Sequence, residues 1–161
     1  MTQIRAAGAA AIMILFLSSC AKPEEVTPAD AKAQMIEHVQ PAAQTYWNAV
    51  QYISDEKGAR EIVPTNAEEW NETVEAARTL KQAAEALKQP AYAANRGTDW
   101  QDFAEGLVQA ATRAEAAAQS HQPDQVLEAG GTLYNVCTAC HEIYLPNPVR
   151  LGPDPHNSTQ Q

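Results

Sequence analysis

The chain has 161 residues, 45% of them hydrophobic, with 20 acidic against 11 basic residues and a net charge of −9. This length makes one domain rather than several, and abundant alanine with only 7 glycines favours helix. The acidic balance works against binding nucleic acid or anionic headgroups, and fits either plain solubility or a partner with a basic docking patch.

Residues 1–19 read as an export signal. Arg5 is the only charge before Lys22, and the apolar run from Ala6 to Leu17, about a dozen residues, is too short to span a bilayer. It ends in Leu17-Ser18-Ser19-Cys20, which resembles the bacterial lipobox. That resemblance implies cleavage before Cys20 and lipidation of its thiol, whose acyl chains would hold the protein to a membrane. Residues 20–29 are polar and proline-bearing and read as a tether. The expected location is periplasmic and lipid-anchored, with the choice of membrane left open.

A domain over 30–145 follows. The first helical stretch runs from about Asp30 to Ser54, with Met35, Val39, Ala42, Tyr46, Val50 and Ile53 forming one stripe. Pro41 interrupts it and predicts either a kink or a helix start. Residues 55–64 read as a loop. Thr65 and Glu68 form a capping box for a second helix, to about Lys88, with the stripe Trp70, Val74, Ala77, Leu80, Ala84 and Leu87. A connection over 90–97 leads to a second box, Thr98 and Gln101, and a third helix to about Gln119 with Trp100, Phe103, Leu107, Ala110, Ala114 and Ala117 facing inward. Pro123 opens a fourth helix to about Tyr144, with the stripe Val126, Gly130, Leu133, Cys137, Cys140 and Tyr144. Residues 146–161 read as a flexible tail. No strand pattern is evident, so the expected class is all-α, an antiparallel four-helix bundle.

The chemistry lies in Cys137-Thr138-Ala139-Cys140-His141, the C-x-x-C-H pattern of c-type haem attachment. Positions i, i+3 and i+4 share a helix face, so the two thiols and the imidazole point together at one edge of a planar ligand. The thiols suit the two vinyl groups of one haem c, and His141 suits its iron. A redox dithiol would call for a βαβ context, and a zinc site for further ligands, which His38, His121 and His156 do not supply as a matching pair. Gly130 and Gly131 predict either a close approach of haem or a neighbouring helix, or a local break. The aromatics Tyr46, Trp70, Trp100, Phe103, Tyr134 and Tyr144 are expected in the core. Arg78, Arg96 and Arg113 are candidates to pair with a haem propionate.

An attachment motif on the last of four helices, ending Cys137-x-x-Cys140-His141-x-x-Tyr144, resembles the class II cytochromes c, that is, cytochrome c′ and its low-spin relatives. The resemblance spans roughly residues 30–145. It implies a C-terminal haem-attachment helix, His141 as the proximal ligand, and often a dimer. The basic residue that often follows the aromatic in that family is replaced by Leu145.

The distal side separates the functions. In the low-spin relatives a first-helix methionine fills the sixth position, and Met35 is the candidate here, with His38 as its rival. Two protein ligands would make an electron carrier working with redox protein partners outside the cytoplasmic membrane. An open site would bind small gases such as NO or CO. No catalytic acid–base or nucleophile constellation is evident, and peroxidase chemistry would rest on His38 and Glu37 alone, so the expectation is not an enzyme.

Overall fold

The structure, a computed structural model, describes residues 29–145. The expected export signal, Cys20, the expected tether up to residue 28 and the expected tail from 146 lie outside the described residues. The described chain is mainly helical, with one small hairpin.

Helix α1 (31–49) has three parts: α-helical Ala31–Gln34, a π-helical turn Met35–Val39, and α-helical Gln40–Ala49. Asp30 caps it, its carboxylate accepting the Lys32 and Ala33 amides at 2.8 and 3.2 Å. Pro41 stands in the first turn of the α-helical part Gln40–Ala49, directly behind the π turn and within one continuous helix. It has no N–H to give, and its ring crowds the carbonyl four residues back. The wider turn just before it, closed by the Gln40 N–H donating to the Met35 carbonyl, absorbs that mismatch.

The helix stops at Ala49, short of the expected Ser54. Val50 is extended, and β1 (Gln51–Asp55) pairs antiparallel with β2 (Gly58–Ile62). The expected loop is therefore a hairpin. Tyr52 and Ile53 favour strand, and Gly58 turns the chain at φ +105°, a conformation open to glycine. Asp55 fixes the bend by accepting from the Lys57 amide at 2.9 Å and the Arg60 guanidinium at 2.7 Å.

Helix α2 (Ala67–Leu87) is capped one residue later than expected. The Asn66 side chain accepts the Glu69 amide at 3.0 Å, while the Glu69 carboxylate reaches back to the Thr65 N–H at 2.6 Å. The box is Asn66 with Glu69, because asparagine is at least as good a cap as threonine. A single turn, α3 (Pro90–Ala93), occupies the expected connection. The second box does not form. Thr98 already has helical backbone angles, so its hydroxyl makes no cap bond to α4 (Asp99–Gln119), and Gln101 donates instead to the Lys88 carbonyl at 3.0 Å. Helix α5 (Pro123–Tyr144) runs unbroken through Gly130 and Gly131.

Helices α2 and α4 make the broadest contact. Their alanines Ala77, Ala84, Ala110, Ala111, Ala114 and Ala118 are fully buried, and such small side chains let the axes approach closely. Helix α5 packs on α4, and α1 packs on α2 and α5. The cross-ties give the helix directions. Arg78 of α2 reaches Glu115 of α4 at 2.8 Å and Trp100 at the start of α4 donates to the Leu87 carbonyl at 2.7 Å, so α2 and α4 run antiparallel. Tyr46 of α1 donates to the Ala114 carbonyl at 3.1 Å while Met35 lies by Trp100, so α1 and α4 run parallel.

The glycine pair resolves into two cases. A Cβ on Gly130 would stand 3.2 Å from Trp47 Cδ1, and the Trp47 indole donates to the Gly130 carbonyl at 2.9 Å, so close approach of α1 explains that glycine. Gly131 faces open space. The expected α2 stripe is buried throughout, whereas Tyr134, expected in the core, is exposed and meets Trp47 edge-on.

Candidate cofactor site

Along α5 the inward face is closed at Val126, Gly130 and Leu133, then opens. Cys137, Cys140, His141 and Tyr144 continue the same face but are only half-buried. Their neighbours draw back to leave an apolar cleft walled by Met35 and Val39 of α1, Leu87 of α2, and Trp100 and Phe103 of α4. Beside Cys140 and His141 it widens into a more polar mouth framed by Ala29, Lys32 and Arg96.

Cys137 and Cys140 are free thiols. Burial pushes Cys137 up to about 11, with Cys140 adding to the effect. Burial likewise pushes Cys140 up to about 11, with the Asp99 charge reinforcing the rise and Arg96 opposing it. Burial thus disfavours the thiolate form of both side chains. Burial lowers the pKa of His141, disfavouring the charged form of its ring. Its Nδ1 is buried without a hydrogen-bond partner among the described residues. Such an orphaned ring nitrogen, in a cleft otherwise apolar, is the kind of exception that a native structure needs a reason for. Among the described residues no three His, Cys, Asp or Glu side chains converge on a point that could hold a bare metal ion.

Tyr144 ties the two ends of the site together. Its hydroxyl donates to Asp99 at 2.8 Å, and its ring stands edge-on to Trp100 and Phe103 at 5.0 and 6.2 Å. Burial and then Asp99 raise the pKa of that phenol. Of the three arginines, only Arg96 reaches the site. Its guanidinium lies 4.1 Å from the Trp100 ring centroid and donates to the Tyr92 carbonyl. Arg78 is engaged with Glu75 and Glu115, and Arg113 is exposed elsewhere on α4.

Met35 lines both the cleft and its mouth, so it stands with the two cysteines and His141. His38 does not: it is exposed in a separate groove with Glu37, Glu72 and Glu75, between α1 and α2. His121 sits in the α4–α5 connection at φ +53° and stacks on Trp70 at 4.8 Å. Sequence reasoning did not single out Val39, Leu87 or Asp99 for the site. Val39 and Leu87 were legible only as helix stripe, and nothing in the sequence marked Asp99.

No family model, curated protein or solved structure matches this chain. Among the described residues no helix is long and apolar enough to cross a membrane.

Proposed function

We propose that the chain is a monohaem c-type cytochrome of four-helix-bundle form, held to a membrane by lipid on Cys20, that passes single electrons between redox partners outside the cytoplasmic membrane. One observation carries this reading. Cys137, Cys140, His141 and Met35, from opposite ends of the chain, line a single apolar cleft in which the His141 Nδ1 has no partner.

The residues fit a haem. Two protonated thiols three residues apart on one helix suit thioether attachment. A neutral imidazole one residue on suits an iron ligand. The walls are mostly apolar, as a cofactor pocket requires, and the mouth carries two cations, Arg96 and Lys32, beside one carboxylate, Asp30, so that the cations could meet the carboxylate groups of the cofactor. When bound, the haem supplies a one-electron iron couple. The chain's own work is to hold it. Cys137 and Cys140 would hold its edge, His141 and Met35 would supply ligands to its iron, and Leu87, Trp100 and Phe103 would keep water out. A His/Met ligand pair with apolar burial raises the reduction potential. Tyr144, through Asp99, holds the last turn of α5 against α4 so that His141 keeps its orientation.

The test is the absorption spectrum of the purified holoprotein, oxidised and reduced, with and without CO. A covalently bound, low-spin haem indifferent to CO is the expected result. A high-spin spectrum that shifts with CO would move the assignment to a gas-binding protein. A chain purified from a host able to mature c-type cytochromes but carrying no covalent haem would overturn both.

A further inference from the structure

The π turn at Met35–Val39 lies where α1 meets the cleft, and its position has a geometric consequence for Met35. In a straight α-helix each residue advances by about 100°. Met35 would then lie in line with Ala42, seven residues on. Ala42 borders the groove that His38 and Thr45 share with Glu72 of α2. A π turn takes an extra residue to close, so the segment ahead of it is rotated by most of one residue's step relative to the segment behind. That rotation carries Met35 out of line with Ala42 and toward the side of α1 on which Trp47 stands. Trp47 faces α5, because its indole donates to the Gly130 carbonyl at 2.9 Å. In the structure Met35 accordingly lines the cleft of Cys137, Cys140 and His141 and has no part in the groove beside α2. Ile36 agrees with the rotation: it is 54% exposed, whereas a straight helix would bring it nearer the buried line of Val39 and Ala43.

The turn has a cause in the sequence. Gln40 donates five residues back to the Met35 carbonyl, and residue 41, the next that could close an ordinary turn, is proline and donates nothing. Pro41 itself is exposed on the groove side, away from the cleft. We infer that Pro41 is a positioning residue for the cofactor site: by imposing the π turn it swings Met35 from the α2 side of α1 to the side facing the haem-attachment helix. This inference rests on the reading of Met35 as the sixth ligand and adds the device that makes it one.

Pro41→Ala tests it in the holoprotein. Alanine restores the missing donor at an exposed position and is the strongest helix former, so the variant folds. The π turn should relax to α, Met35 should leave the cleft, and the low-spin spectrum, with its methionine-sulfur-to-iron charge-transfer band, should give way to a high-spin one. CO should then bind the reduced protein at least tenfold faster than it binds the parent. Met35→Ala is the companion variant and should show the same end point. If Met35→Ala changes the spectrum and Pro41→Ala leaves it as in the parent, Met35 is the ligand but Pro41 does not position it, and the inference is overturned alone. If Met35→Ala changes nothing, the ligand assignment fails and the inference goes with it. Far-ultraviolet circular dichroism of equal or greater helix content in Pro41→Ala separates straightening from loss of fold.

Discussion

The two neighbouring glycines of α5 show how one residue type can answer two different demands. Glycine in a helix interior costs about 1 kcal/mol relative to alanine. At Gly131 nothing lies within 4 Å of an added Cβ, so Gly131→Ala should stabilise the fold by about that amount, read as a higher urea midpoint. At Gly130 the same methyl would meet Trp47 at 3.2 Å, and Trp47 is pinned by its bond to the Gly130 carbonyl. Overpacking of this kind costs about 1–3 kcal/mol and outweighs the propensity gain, so Gly130→Ala should lower the midpoint. A rise for both variants would mean that the indole moves aside freely and that α1 does not register on α5 through this contact. The contrast matters for the site, since Trp47 lies on the same helix as Met35 and fixes the distance between that helix and the cysteines.

At the scale of elements, the helices were legible and their ends were not. The α2 stripe from Trp70 to Leu87 was readable because seven-residue spacings repeat over five turns and every position proved buried. The hairpin was missed because five-residue strands bearing Gln51, Ser54, Arg60 and Glu61 are exposed on nearly every position and carry no alternation to read. The cap fell on Asn66 because Thr65 and Asn66 are both good caps, and only the reach of Glu69 decides between them. The π turn could not be anticipated in kind, since Pro41 signals that an ordinary helix must yield but not how. Between elements, Glu115 is the shared partner of Arg78 and Lys81 and ties α4 to α2. Arg78 first, then Lys81, holds its carboxyl below the ordinary 4.5. A depressed carboxyl contributes stability above its unfolded value and loses it as pH falls through the folded one. Glu115→Gln should therefore unfold more easily than the parent at pH 7, and the gap should close below about pH 4. A gap that stays constant down to pH 3 would show that packing of the side chain, and not its charge, joins the two helices.

At the scale of the whole molecule, the start of the described chain and the site meet at one end. Residue 29, expected to be the last of the tether, is already part of the domain: the Ala29 N–H donates to the Ala91 carbonyl at 2.9 Å, and Ala29 frames the mouth of the cleft together with Lys32 and Arg96. From there back to Cys20 the chain can extend at most about 3.4 Å per residue, or about 30 Å in all. Lipid on Cys20 would hold the mouth of the cleft within that distance of the bilayer, close to partners embedded in the membrane rather than to soluble ones. Such tethering raises the effective concentration of a membrane partner without any new contact, and the gain falls as the tether lengthens. Two variants separate the parts of this argument. Cys20→Ala should move the holoprotein from the membrane to the soluble fraction. Twenty Gly-Ser residues inserted after Thr27 should leave it on the membrane but slow its reduction by membrane-bound donors severalfold, with the haem spectrum unchanged. If the inserted linker leaves that rate as in the parent, the docking partner is not confined to the membrane, and the acidic surface of a chain with net charge −9 would instead be steering a soluble, basic partner, a reading that a steep loss of rate with added salt would bear out.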